Sequence, residues 1–166
     1  NATDGALVQL SESLAIICAS TTSLVSENGT WQKHVAKFLQ GNLKALTIDD
    51  PFRVRRSDEV IQFLKGNCSK KLQGFSIDIK DLYYTIPQEE ILSSVNDLID
   101  ANGAIAFQNE CGMSTGSFLE LLSVYLESTF TEWNGDVYIQ RNGICIGSCL
   151  APVLSDVLLA SRDRIL

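Results

Sequence analysis

Phe75-Ser76-Ile77-Asp78-Ile79-Lys80-Asp81-Leu82-Tyr83 is the stretch on which the reading of the fold turns. Apolar and polar side chains alternate from Lys71 through Phe75, Ile77 and Ile79, which predicts a strand over residues 71–79. Asp78 falls near the end of that strand and Asp81 follows three residues on. Carboxylates carried at a rigid strand end suit Mg2+, a hard cation that takes oxygen ligands and keeps positions open for phosphates. An Asp in such a place is also a common turn former. The residues alone favour the turn former over the metal ligand.

Working outward, Trp31, Val35, Phe38, Leu39, Leu43 and Leu46 recur at helical spacing and predict one apolar stripe, with Thr30 as its cap. Ser57 is the expected cap of a short helix through Glu59, Val60, Phe63 and Leu64. Downstream, Pro87 and then Gln88-Glu89-Glu90 predict a helix to about Asp100, its acidic first turn matched to the helix dipole. Residues 104–108 read as a short strand and Ser114 to Phe130 as a long helix. Asn134-Gly135 between residues 130–133 and 137–140 is a type I′ hairpin signal. From Ser148 onward, Leu150, Val153, Leu154, Val157 and Leu158 predict a final helix. The order implies an α+β domain, with long helices packed on a small antiparallel sheet. The first twenty-odd residues carry no clear pattern.

At 166 residues and 45% hydrophobic, the chain is sized for one domain with a real core. No apolar run approaches the roughly 18 residues that a membrane span needs. Leu14 to Ala19 is the longest candidate, and it lacks the basic flank of a secretory signal. An intracellular protein is therefore expected, and a start at Asn1 predicts a fragment or a processed product. The net charge of −7 runs against nucleic-acid binding. Arg53, Arg55, Arg56, Lys65, Lys70 and Lys71, all within nineteen residues, form a local exception that charge alone reads as a solvated face. Cys18, Cys68, Cys111, Cys145 and Cys149 form no CxxC pair and predict reduced core thiols rather than a zinc site. Sequons at Asn1, Asn28 and Asn67 point only weakly to secretion. His34, the single histidine, sits beside the apolar stripe and reads as a surface or boundary residue.

The stretch Phe-Ser-x-Asp-x-x-Asp-Leu-Tyr, followed by Ile86-Pro87, resembles the first palm motif of reverse transcriptases, closest in style to Penelope-like and related non-LTR retroelements. The resemblance implies that Asp78 is the first catalytic aspartate and binds both magnesium ions, helped by the carbonyl of Ile79. The chemistry it implies is two-metal phosphoryl transfer, in which one ion activates the primer 3′-hydroxyl and the other neutralises the leaving pyrophosphate. Lys80, Asp81 and Leu82 would then lie along the triphosphate, and Tyr83 would be the aromatic gate that selects dNTPs over rNTPs. A second segment, Gln140-Arg141-Asn142-Gly143-Ile144-Cys145-Ile146-Gly147-Ser148-Cys149-Leu150-Ala151-Pro152, resembles the next palm motif in the right order. It implies nucleotide contacts at Gln140 and Gly147, and template positioning by Gly143, Ser148 and Pro152. Glycines at 143 and 147 would allow close backbone approach. Leu24 to Lys33 and the helix after it resemble the fingers segment, without the basic residue usual just before it.

The resemblance covers residues 24–166 and leaves residues 1–23 unassigned. It implies a partial right-hand polymerase fold, fingers and an incomplete palm, whose full-length relatives work on an RNA or DNA template with primer and dNTPs. The family's third palm motif, aromatic-x-Asp-Asp, is absent from the 166 residues, where the one Asp-Asp pair is Asp49-Asp50. These residues on their own are therefore expected to bind Mg2+ weakly and not to polymerise. The competing expectation is a non-catalytic interaction domain of retroelement descent. A generic helical binding module requires both motifs to be coincidence.

Overall fold

The computed structural model describes residues 27, 29–76, 78–79, 82–133 and 136–165, and among these the chain is mostly helical. The described residues form seven helices: α1 (Trp31–Lys44), α2 (Ser57–Gly66), the single turn α3 (Leu82–Thr85), α4 (Gln88–Asn102), α5 (Ala104–Cys111), α6 (Thr115–Glu127) and α7 (Ala151–Asp163). Between α6 and α7 lies a hairpin of β1 (Phe130–Trp133) and β2 (Asp136–Ile139), paired antiparallel with Phe130 opposite Ile139.

The core is a helix-on-helix packing in which α4 lies against α6 and α7, and α1 against α5, α6 and α7. In α4 the buried residues are Ile91, Ser94, Val95, Leu98 and Ile99, the spacing that turns one stripe inward. Glu89 and Glu90 occupy its first turn as the sequence predicts, and Gly103 (φ 97°) ends it in a conformation that favours glycine. Ser114 caps α6 by accepting the Ser117 N–H at 3.1 Å. Phe118 of α6 is fully buried and meets Phe107 of α5 edge to face, with ring centroids 4.9 Å apart and planes at 87°. Asn102 closes the end of α4 on the loop after α1, accepting from the Thr47 N–H at 2.9 Å and donating to its carbonyl at 3.1 Å.

Several sequence expectations are corrected. Residues 104–108 form helix α5, because Phe107 gains burial against Phe118 and the positive-φ Gly103 and Gly112 bracket one helical segment. Over 71–79 no described residue is in a strand. No described segment pairs with this stretch, and Phe75 (90% exposed) and Ile79 (51% exposed) find no apolar surface to cover them. A strand without a neighbour leaves its ladder unmade and gains little from burial. Among the described residues the helices accordingly pack chiefly on one another. The α1 stripe is narrower than its period suggests: Ala36, Leu39 and Leu43 are buried, whereas Trp31 is 51% exposed. Thr30 stands at the N-cap of α1, but its hydroxyl donates to the Glu27 carbonyl at 2.8 Å instead of capping. Ser57 is the first residue of α2, after Arg56 at the cap position. Helix α2 contributes no buried residue, and its apolar side chains stay exposed.

The hairpin agrees with the sequence in position, while its Asn134-Gly135 turn lies outside the described residues. Among the described residues no helix is long and apolar enough to cross a membrane. Cys68, Cys111, Cys145 and Cys149 are free thiols; Cys145 is buried and Cys68 exposed, so a core role does not extend to Cys68.

Candidate functional site

The two segments singled out in the sequence meet through their backbones. The first leaves the open stretch around Asp78, turns through α3 and enters the core at Ile86, just before Pro87 starts α4. The second leaves β2, where the Gln140 N–H donates to the Thr129 carbonyl at 2.9 Å, and folds back across α3. There the Gly143 N–H donates to the Ile86 carbonyl at 2.6 Å, and the Ile144 N–H donates to the Tyr83 carbonyl at 2.7 Å. Gly143 is in the left-handed region (φ 78°), and a Cβ built on it would lie 2.0 Å from the Tyr83 carbonyl oxygen. Both geometry and space therefore demand glycine. The close approach that Gly143 permits is thus to the chain's own Tyr83-Tyr84 backbone.

From Gly143 the segment stays pinned as far as α7. Gly143, Ile144, Cys145, Ser148 and Leu150 are buried, and Gly147 alone among residues 143–150 is exposed, at φ 102°. The Gln40 side-chain amide of α1 donates to the Cys149 carbonyl. Ser148 accepts the Leu150 N–H at 3.2 Å, and its hydroxyl meets that of Tyr125 in α6. Tyr125 in turn donates to the Glu27 carboxylate. Burial first, then the hydrogen bond to Glu27, holds the Tyr125 hydroxyl well above the usual tyrosine range, against a lowering by Ser148. Cys145, next to this chain of groups, is pushed up to about 11, by burial first and then by the Glu27 charge.

The other expected site residues divide sharply. Tyr83 and Leu82 are half-buried and pack against the core. Gln140 is half-buried, and its side-chain amide donates to the Asn142 carbonyl at 2.8 Å, holding the turn before Gly143. Pro152 is exposed in the first turn of α7, where a missing N–H costs nothing. Asp78 is exposed on irregular backbone beside Ile79, and Lys80 and Asp81 lie outside the described residues. Among the described residues no three His, Cys, Asp or Glu side chains gather where a metal ion would sit. Asp78 and the Ile79 carbonyl, by themselves among the described residues, are too thin a ligand set for a two-metal site. Within the basic run, Arg53 pairs with Asp156 of α7 at 2.9 Å and Arg56 with Asp58 at 2.9 Å, so part of its charge is spent inside the chain.

Tyr125, Glu27 and Gln40 are the positions that sequence reasoning does not reach. Tyr125 shows only as one more apolar member of its helix, and nothing local marks a hydroxyl whose partners lie 23 and 98 residues away. Compared with known proteins, the chain matches no protein-family profile, no curated protein and no solved structure.

Proposed function

We propose that this chain supplies the fingers and the first two palm motifs of a reverse-transcriptase-type nucleotidyltransferase. Its full-length form adds dNTPs to a primer 3′-hydroxyl on an RNA or DNA template inside the cell. One observation supports the reading above the others. Two segments chosen for their likeness to successive palm motifs, with Tyr83 in one and Gly143 in the other, lie in direct backbone contact. In this reading Tyr83 is the sugar gate, set rigidly by its carbonyl bond to Ile144. Gly147, on its pinned support, is where nucleotide or template backbone passes closely. Asp78 and the Ile79 carbonyl are half of a Mg2+ site, with Lys80, Asp81 and Leu82 along the triphosphate. Gln140, Ser148 and Pro152 shape the floor under the nucleotide and template.

The test is Mg2+-dependent primer extension on an RNA template by the longest natural polypeptide containing these residues. Tyr83→Ala is expected to raise rNTP incorporation at least tenfold relative to dNTP, as loss of a steric gate does. Unchanged discrimination in an active enzyme would remove Tyr83 from the role. A second reading, a non-catalytic interaction domain of retroelement descent, draws on the exposed apolar residues Val60, Ile61, Phe63 and Leu64 of α2. It predicts no extension by any natural form of the protein, together with a partner lost on Phe63→Glu.

A further inference from the structure

The exposed Gly147 is followed by Ser148, whose buried hydroxyl finds its partner, Tyr125, far along the chain. A tyrosine hydroxyl carries one hydrogen, and an ionised carboxylate only accepts. Tyr125 therefore donates to Glu27, which obliges Ser148 to donate to Tyr125. The Ser148 oxygen is left free to accept the Leu150 N–H at 3.2 Å. The result is one directional series: Leu150 N–H to Ser148, Ser148 to Tyr125, Tyr125 to Glu27. Every hydrogen in it is used, and Tyr125 and Ser148 are buried at 1% and 5% exposure. In a low-dielectric setting such a series is stiff when complete and costly when one member fails.

We infer that Glu27 and Tyr125 are positioning residues for the Gly147 turn. They hold the start of α7 in register with Tyr83 without touching any substrate. The segment ahead of α1 is thereby tied to the second motif. The Glu27 carboxylate orients Tyr125, Tyr125 fixes the rotamer of Ser148, and Ser148 fixes the Leu150 amide that begins the approach to α7. Gln40 on the Cys149 carbonyl holds the same turn from another side. What the turn is positioned for rests on the polymerase reading, whereas the coupling itself does not.

Amide hydrogen exchange on the 166-residue chain tests the coupling. Tyr125→Phe keeps the ring and removes the hydroxyl, and the Ser148–Leu150 amides are expected to exchange at least tenfold faster while those of α4 keep their rate. Glu27→Ala is expected to do the same. Glu27→Gln, which keeps an acceptor oxygen, is expected to retain the wild-type rate. In the Tyr125→Phe background Glu27→Ala is expected to add nothing, because its route to the turn is already cut. Unchanged exchange in Tyr125→Phe, or an equal effect of Glu27→Ala in both backgrounds, overturns the proposal. Should Tyr125→Phe fail to fold, the Glu27→Ala and Glu27→Gln pair decides the matter at a partly exposed position, since faster exchange in both would also overturn it. In primer extension Tyr125→Phe is expected to raise the KM for dNTP about tenfold with kcat held within about twofold. A fall in kcat at unchanged KM would count against positioning. A wild-type polypeptide without extension would sink the polymerase reading and leave the exchange result standing.

Discussion

Gly143 shows how one residue can join two distant segments. Its left-handed backbone and the missing Cβ let its N–H reach the Ile86 carbonyl while the next N–H reaches that of Tyr83. Gly143→Ala would place a methyl 2.0 Å from the Tyr83 oxygen, at a φ that alanine resists. The expected loss is about 3 kcal/mol or more, strain and overpacking adding, read as a lower urea midpoint at unchanged slope. A loss under about 0.5 kcal/mol, the size of an ordinary surface change, would show that the two segments are not in contact. Cys145 gives the pH prediction at the same scale. Its thiol is raised from 9.0 to about 11 in the folded chain, so the folded state holds its proton more tightly than the unfolded one. The corresponding stability is complete below pH 9 and is lost as pH rises through 11. Thermal melts are expected to show a steeper decline over that window in wild type than in Cys145→Ala. Identical slopes would place the thiol in water.

At the scale of elements, the helices that the sequence announces most clearly are those that bury a regular stripe. Helix α4 keeps the bounds expected from Pro87 to about Asp100 and buries Ile91, Val95, Leu98 and Ile99, and α6 and α7 keep theirs with small shifts at their ends. The misreadings occur where period-two or helical spacing lacks a surface to bury against. Residues 71–79 alternate correctly yet meet no second strand among the described residues. Residues 104–108 are too short for periodicity to separate strand from helix, and the ring of Phe118 decides. This contrast yields a paired prediction. Phe118→Ala is expected to cost about 3–5 kcal/mol, a buried aromatic removed from a close-packed core. Phe63→Ala on α2, at 62% exposure, is expected to stay within about 0.5 kcal/mol. Chemical denaturation of both reads the difference. Equal losses would mean that α2 packs on the core after all.

For the whole molecule, what was legible in the sequence is the helical body and the two segments that carry the candidate site. What was not legible is how the segments are held. The carbonyls of Tyr83 and Ile86 as acceptors, and the series from Glu27 through Tyr125 to Ser148, arise from contacts between parts of the chain far apart in sequence. No local pattern encodes such contacts. The glycines at 143 and 147 were the visible trace, since positive φ leaves a mark in composition where a hydrogen bond does not. Six of the thirteen cations sit at residues 53–71, and Arg53 and Arg56 among them pair internally. The proposed place of Asp78 in a polymerase half-site is tested most directly by primer extension on an RNA template with Mg2+. In the longest natural polypeptide containing these residues, wild type is expected to extend the primer. Asp78→Asn is expected to abolish extension, and the 166 residues alone to give none. Full extension by Asp78→Asn, or extension by the 166 residues alone, would contradict the account.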